Sequence, residues 1–341
     1  MYRILSFALV ALLTPLSAEI TFAPKPDTRL EKTWVVRADL HERIAVVGAT
    51  EAEPPFDVRG TVARDVVMKD TYRELMDGRP RVLGRTLAKA AGMIETVLEV
   101  DIDGETTTMR FDKQLASERQ GLPLVLTWDE ALKAHVATLE NAGEGGGALA
   151  TEFGGMREET DLRSFLPKEA VEPGARWKAP ASALADVFSA GGDLAFRFKS
   201  EGHATHDDFK LFGAELGEML MSLESQVDVQ YVSRDEDRAN IVRLVVTFVV
   251  SGVETLSGPL HRRARERSTR ERAFTNVPES FELAGEGTIE WDTARGLPHR
   301  ARFEGRLDAT WRVELHAGEK SAVDRRTMDG TIVATLATQG S

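Results

Sequence analysis

Residues 240–253 read NIVRLVVTFVVSGV, and their polarity alternates with a period of two. One face of this stretch mixes apolar residues with Arg243, Thr247 and Ser251, and the opposite face is wholly apolar from Val242 to Val250. The pattern predicts a long strand with one buried face and one face that partly meets water. The predicted buried face carries five apolar side chains without a polar interruption: Val242, Leu244, Val246, Phe248 and Val250.

The segment just before this stretch predicts a partner strand. Val227, Val229 and Tyr231 alternate with polar residues, and the polar run 233–238 separates the two segments. Two alternating segments joined by a short polar run are typical of a β-hairpin. We expect this hairpin near the middle of a curved antiparallel sheet.

Further strands of the same kind decide the fold class. Asp103-Gly104 marks a turn between an alternating segment that ends at Ile102 and a returning segment with Met109 and Phe111. Asp77-Gly78 marks a similar turn. Glycine allows the positive φ that such turns need. Residues 301–315 alternate between apolar and charged positions almost without a break. We predict an α+β fold that is mostly β: a large curved antiparallel sheet, half-barrel-like, with a few short helices packed on one side.

Three segments predict the short helices. Residues 158–165 could form one that Pro167 stops, and residues 180–188 begin with a proline and end before Gly191-Gly192. Residues 209–223 carry apolar side chains at spacings of three and four, as an amphipathic helix does.

Composition limits the class of partner. The 341 residues carry a formal net charge of -12, which argues against nucleic acid as the main partner. Cysteine is absent, so the chain has no disulfide, no thiolate metal ligand and no cysteine for lipid attachment.

The first 18 residues, MYRILSFALVALLTPLSA, predict a secretory signal peptide cleaved after Ala18. Their apolar run is shorter than the roughly 20 residues that a membrane-spanning helix needs, and the mature chain offers no longer one. We therefore expect an exported protein, periplasmic or secreted, without a transmembrane segment. Residues 19–341 are predicted to form one β-rich domain, either continuous or in two lobes that meet near the glycine-rich stretch 141–156.

Few residues suggest catalytic or metal chemistry. His203 and His206 form, with Asp207 and Asp208, the densest group of metal-capable side chains, but their spacing also suits a polar loop that caps the following helix. The acidic pair 158–159 could perform acid–base work in a cleft or simply face solvent. No serine elbow or cysteine nucleophile is present. We expect no cofactor and no enzymatic activity.

Two sets of residues are candidates for binding. The helix at 209–223 would present an apolar face that either lines a ligand cavity or packs in the core. The basic run 260–272 could contact an anionic partner, or it could be a solvated edge that keeps the sheet from pairing with another molecule. The candidate ligand-binding residues are Phe209, Phe212, Met219 and Leu220, and the candidate anion-binding residues are Arg262, Arg263, Arg265 and Arg267.

Several short motifs resemble a family of uncharacterised secreted bacterial proteins, a domain of unknown function. Leu166-Pro167 precedes a Val-x-x-Gly-x-x-Trp element, and a helix then ends in Gly-Gly-Asp. The resemblance covers most of the mature chain and brings no catalytic residue with it. More loosely, the chain is similar to the half-barrels of periplasmic lipoprotein carriers, which hold acyl chains on a concave sheet face. The residues that carry the family resemblance are Leu166, Pro167, Val171, Gly174, Trp177, Gly191, Gly192, Asp193, the 77–80 turn with Arg85, and the 285–292 hairpin.

Three functions follow as hypotheses. The first is a non-enzymatic envelope protein that binds a lipid or another apolar or amphipathic ligand on the concave sheet face. The second is a structural module that binds another envelope protein and has no ligand cavity. The third, a metal- or carboxylate-dependent hydrolase, requires His203 or His206 to meet carboxylates in a cleft.

Overall fold

The computed structural model of the chain describes residues 20–47, 56–102, 105–140, 153, 155–198, 214–235, 237–252, 273–317 and 320–340. Within these ranges, thirteen antiparallel strands form a single sheet, accompanied by two short helices. The elements are β1 (Thr28–Val47), β2 (Phe56–Met76), β3 (Arg79–Ile102), β4 (Glu105–Ser117), β5 (Pro123–Asp129), β6 (Ala134–Leu139), β7 (Arg176–Pro180), α1 (Ala183–Phe188), β8 (Phe196–Phe198), α2 (Ala214–Ser222), β9 (Gln226–Arg234), β10 (Ile241–Ser251), β11 (Ala273–Asp292), β12 (Leu297–Ala317) and β13 (Lys320–Gly340).

The strand order is β6-β5-β3-β2-β1-β13-β12-β11-β10-β9-β7, with β4 paired to β3 and β8 outside this path. This confirms the predicted fold class, a large antiparallel sheet with few helices. Strands before and after residues 141–156 belong to the same sheet. The link between them is the pairing of β1 with β13, which runs from Leu30 opposite Gly340 to Val47 opposite Val323.

The predicted position of the hairpin at 226–251 is wrong. β9 and β10 pair as expected, but they lie beside the edge strand β7, and the middle of the sheet is β13. A period of two identifies a buried face on any strand of a half-covered sheet. It cannot say which strands lie in the middle, because that depends on the pairing of the first strand with the last.

The alternating faces are as predicted. On β10, Val242, Leu244, Val246, Phe248 and Val250 are buried to within 1% of complete, whereas Val249 on the other face is 64% exposed. β12 alternates buried residues with exposed or half-buried ones from Ala301 to Arg312. We call the buried side of the sheet the inner face and the solvated side the outer face.

The inner face is covered by the described residues between β6 and β9, α1 and α2 among them. The Phe188 ring of α1 lies 6.2 Å from the Phe248 ring of β10 and 6.5 Å from the Phe303 ring of β12, centroid to centroid. The same side chain lines a crevice with Val66 of β2. β2 and β10 are five strand spacings apart, about 24 Å in a flat sheet. One ring can contact both only because the sheet curves around α1.

Close strand contact at Gly285 produces the first testable prediction. Gly285 lies directly opposite Gly305 on β12 and Phe248 on β10. A Cβ atom on Gly285 would lie 2.1 Å from the Glu304 carbonyl oxygen and 2.8 Å from the Phe248 ring. Gly285→Ala is therefore expected to lower the free energy of unfolding by about 1–3 kcal/mol, as other overpacked sites do. Urea denaturation measures this.

Gly84→Ala on β3 is the matched control. Its added Cβ would meet only the flexible end of the Arg73 side chain, at 3.0 Å. We expect a change within about 0.5 kcal/mol for that variant. A loss of stability for Gly285→Ala as small as that expected for Gly84→Ala would mean that the strands around Gly285 can accommodate a methyl group.

Candidate functional site

The most unusual feature of the inner face is a buried ionic cluster between the sheet and residues 156–167. The predicted helix at 158–165 is wrong except for one 3₁₀ turn at Arg163–Phe165. The preceding residues are irregular because the side chains of Thr160 and Asp161 turn inward and bind cations of the sheet. Glu158 and Glu159 instead bind Arg163 of the same segment. The cluster consists of Lys32, Asp70, Tyr72, Arg85, Arg157, Glu158, Glu159, Thr160, Asp161, Arg163 and Asp186.

The sheet contributes three charged side chains from three adjacent strands. Asp70 of β2 stands directly opposite Arg85 of β3, and Lys32 of β1 reaches across from the other side. Arg85 donates from Nε to Asp70 Oδ1 at 2.7 Å and from Nη2 to Oδ2 at 2.8 Å, while Lys32 Nζ donates to Oδ2 at 2.6 Å. All three side chains are at most 1% exposed. One carboxylate thus joins two cations in the protein interior.

Residues 157–161 complete the hydrogen bonding of those cations. Arg85 donates to the carbonyl oxygens of Arg157 and Glu158 at 2.7 and 3.0 Å and to Thr160 Oγ1 at 2.9 Å. Lys32 Nζ lies 2.5 Å from Asp161 Oδ1 and donates to Thr160 Oγ1 at 2.8 Å. The sheet cations therefore fix the course of this segment over the inner face.

Tyr72 adds a further bond to the same segment. Its hydroxyl donates to Asp161 Oδ1 at 2.6 Å, and Lys32 Nζ lies 5.4 Å from the centre of its ring. Burial and the nearby Asp161 raise the pKa of Tyr72 well above its usual value, so the hydroxyl remains a donor. Asp161 Oδ2 is buried and has no hydrogen-bond partner among the described residues.

The second half of the cluster lies within the covering chain. Arg163 binds both oxygens of Glu158, with Nη1 to Oε1 at 2.8 Å, and its Nε contacts Glu159. Arg157 contacts Asp186 of α1. Outside the cluster, His135 of β6 borders it: its Nε2 lies 2.8 Å from the Pro80 carbonyl oxygen and its Nδ1 lies 3.7 Å from Glu158.

Burial and charge shift the carboxyl groups in opposite directions. Burial alone would raise the pKa of Asp70, but Arg85 and Lys32 lower it to about 2. At Glu159 burial prevails over Arg163, and neighbouring carboxylates add to it, so the pKa rises to about 8. Burial likewise raises the pKa of Asp186 to about 7 despite Arg157.

The charge count explains this difference. The cluster holds four cations, Lys32, Arg85, Arg157 and Arg163, and five carboxyl groups. A buried uncompensated charge is costly, so one carboxyl group keeps its proton near neutral pH. The arrangement can therefore hold one proton as well as fix the chain around it. The five carboxyl groups are Asp70, Glu158, Glu159, Asp161 and Asp186.

The sequence identified only part of this cluster. It singled out the Glu158–Glu159 pair, which is buried against Arg163. It missed Lys32 and Asp70 and named Arg85 only beside the 77–80 turn, although a signal for all three was present. Each occupies an inner-face position between apolar residues of an alternating strand, as Lys32 does between Leu30 and Trp34. A lone charge in such a row indicates a buried partner elsewhere.

A second feature is an exposed apolar surface on the inner face of the β3–β4 hairpin. Phe111 is 43% exposed and Met109 38% exposed, and Met109 lies directly opposite the half-buried Leu98. Leu98 in turn packs against the main core. We call Leu98, Met109 and Phe111 the apolar rim, since they continue the core to the surface.

The space beneath α1 is closed. The crevice beside Phe188, Trp34 and Val66 has a volume of about 10 Å³, too small for an acyl chain. On the outer face, an open groove of about 390 Å³ crosses β13, β1, β2 and β3 and is lined partly by Asp39, His41 and Asp329. The crevice under the helix therefore cannot admit an apolar ligand, and the exposed large apolar side chains of the inner face lie at the rim.

The other predicted site residues divide into two groups. Met219 and Leu220 are 4% and 0% exposed in α2, which packs against α1. The remaining candidates lie outside the described residues, so their roles stay predictions, and the same holds for the signal peptide. They are Phe209, Phe212, His203, His206, Arg262, Arg263, Arg265 and Arg267.

Two absences hold for the described ranges. They contain no group of three or more histidine, aspartate or glutamate side chains placed to hold a metal ion. No helix within them has the length and apolar character needed to cross a bilayer.

Comparison with known proteins yields little. No protein-family model matches the sequence, and no curated protein matches it either. A solved structure, that of a beta-barrel-like protein of the domain of unknown function DUF1849 from Brucella abortus, is weakly similar. The two chains share 8% identity, the alignment covers 94% of this chain and 100% of that one, and the TM-score is 0.12. No residue role is transferred from that protein.

Proposed function

We propose that this chain is an exported, non-enzymatic binding protein of the bacterial envelope, and that its apolar rim holds the acyl part of an amphipathic ligand. The observation that carries the proposal is the exposure of Phe111 and Met109 on the inner face. Elsewhere on that face, large apolar side chains such as Phe248 and Phe303 are buried. Exposed apolar surface continuous with a core is typical of a binding site.

The charge beside the rim favours an anionic amphiphile. Lys113 lies on the same face as Phe111, two residues further along β4 and directly opposite Ile94. Lys113 already has an interaction within the chain, so an acidic head group would share this cation with its present partner. A cation next to apolar side chains suits a fatty acid or an acidic lipid, whose chain gains from burial and whose head gains from the charge. The signal peptide predicted at residues 1–18 and the resemblance to secreted bacterial proteins support export.

The test is a titration with cis-parinaric acid, a fluorescent fatty acid. Phe111→Ser is expected to weaken binding by roughly tenfold or more, because a buried Phe side chain contributes about 1.5–3 kcal/mol. Val249→Ser is the matched control, since Val249 is 64% exposed but lies on the outer face of β10. Equal affinities for the wild type and both variants would contradict a site at the rim.

Native mass spectrometry tests the cellular part of the proposal. Protein purified from its own envelope is expected to lack residues 1–18 and to carry a lipid-sized adduct. A full-length mass would contradict export with cleavage at Ala18. A bare mature mass under gentle conditions, together with no parinaric acid binding, would leave the chain without the proposed ligand.

A further inference from the structure

The edges of the sheet differ in how well they are protected. β7 ends in Pro180 and has only five residues, and β6 has six. β4 has thirteen residues, and its first eight are exposed. Among the described residues, only β8 pairs with the outer edge of β4, and it covers no more than Leu115–Ser117. A long exposed strand edge is a template for another strand, because its backbone donors and acceptors face outward.

The residues of this edge suit strand pairing. Residues 106–111 read TTTMRF, which combines β-branched and aromatic side chains with no proline or glycine. Natural edges are commonly protected by proline, bulges or inward-pointing charges. Residues 106–112 contain none of these, and the inward-pointing charge of Lys113 lies just beyond them on the inner face. β4 pairs with β3 in an unbroken register from Ala116 to Glu105, so no bulge interrupts it.

We infer that two copies of this chain pair antiparallel through their β4 edges, with Phe111 of one copy opposite Phe111 of the other. In this register, Arg110 of each copy lies opposite Asp112 of its partner. Two opposite-charge pairs on the outer face and one aromatic pair on the inner face then form together. Cross-strand pairs of both kinds stabilise antiparallel sheets.

The outer face gives an independent reason for this register. Within one copy, Asp112 stands directly opposite Glu95 of β3, so two carboxylates face each other. Like charges in directly opposite positions are destabilising. A partner's Arg110 placed on the other side of Asp112 supplies the missing cation. The cation that complements Asp112 is therefore carried by the same edge of a second copy.

Pairing of this kind continues the inner face across both copies. The two Phe111 side chains meet at the symmetry axis, and Met109 lies two residues from it on each side. The inference goes beyond the proposed ligand site and does not require it. Only seven residues, 108–114, pair in each copy. The interface area is therefore expected to be smaller than the roughly 800 Å² per partner that a stable complex buries. The dimer is expected to be weak and to depend on concentration.

Sedimentation equilibrium of the purified chain, with charge-reversed variants, tests the inference. Arg110→Asp places two aspartates opposite each other in the dimer, and Asp112→Arg places two arginines opposite each other. Each variant alone is expected to dimerise roughly tenfold more weakly than the wild type, because two attractive pairs become repulsive. An equimolar mixture restores both attractive pairs and is expected to recover the wild-type affinity.

The mixture distinguishes pairing through β4 from a general effect of charge reversal on folding or solubility. Both substitutions lie on the exposed outer face. If the fold is intact, Arg110→Asp should melt close to the wild type, and Asp112→Arg at or slightly above it, because it replaces the like-charge contact with Glu95 by an attractive one. A wild type that stays monomeric at high micromolar concentration overturns the inference. So does a dimer that neither variant weakens, or two weakened variants whose mixture fails to associate. Parinaric acid binding by monomeric Arg110→Asp reports on the rim separately, so failure of one proposal does not imply failure of the other.

Discussion

Asp70→Ala is expected to lower the free energy of unfolding by about 3–5 kcal/mol, the usual cost of removing one partner from a buried ion pair. The substitution leaves Lys32 and Arg85 fully buried without the carboxylate that they share. Lys32 keeps its contacts with Asp161 and Thr160, but Arg85 keeps only neutral acceptors, Thr160 Oγ1 and two backbone carbonyl oxygens. These neutral groups cannot replace a carboxylate bound by three hydrogen bonds. Urea denaturation followed by tryptophan fluorescence measures the loss.

Asp65→Ala on the same strand is the control for Asp70→Ala. Asp65 lies on the outer face of β2 and pairs with exposed Lys89 at 3.0 Å. Exposed pairs of this kind contribute about 0–1 kcal/mol. Similar losses of unfolding free energy for the two variants would show that Lys32 and Arg85 become hydrated once Asp70 is removed. The cluster would then not fix residues 156–167.

Several local features of the fold around this cluster could be predicted from the sequence. The Asp77-Gly78 turn follows from its residues, since both have positive φ, 48° and 72°. The buried faces of β10 and β12 follow from their alternation. The sheet order did not follow, because β1 pairs with β13 across nearly the whole chain length. Local polarity carries no information about such a partner.

The cluster itself depends on contacts of the same long range. Lys32 meets Thr160 across 128 positions of the sequence, and Tyr72 meets Asp161 across 89. Residues 158–161 look like a solvated acidic stretch when they are considered alone. Their burial becomes evident only when the inner-face charges of β1, β2 and β3 are placed beside them. Misreading this segment as a helix has the same cause, since helical periodicity takes no account of distant cations.

The retained proton of the cluster produces the last prediction, a loss of stability as pH rises. The folded-state pKa values of Glu159 and Asp186, about 8 and about 7, lie above the ordinary values of 4.5 and 3.8. At pH values between the ordinary and the folded-state pKa, the folded chain binds a proton that the unfolded chain has released. The free energy of unfolding therefore falls with rising pH, by up to about 1.4 kcal/mol per pH unit for one proton. The contribution is fully present below about pH 4 and is lost by about pH 8.

Asp70 acts in the opposite direction at lower pH. Its folded-state pKa of about 2 lies below its ordinary value of 3.8, so its contribution is lost as pH falls through this range. The cluster alone thus predicts greatest stability between about pH 4 and 5. Urea denaturation at half-unit intervals from pH 2 to 9 would locate this maximum.

Glu159→Gln and Asp186→Asn identify the groups responsible. Either variant leaves four carboxyl groups for four cations, so neither needs to retain a proton. Each is expected to have a flatter profile between pH 5 and 8 and to gain on the wild type as pH rises. Glu304→Gln, which loses only an exposed pair with Arg302, should stay parallel to the wild type. If both cluster variants keep the wild-type slope, the fifth carboxyl group is ionised in the folded chain, and the charge balance inferred for the cluster is wrong.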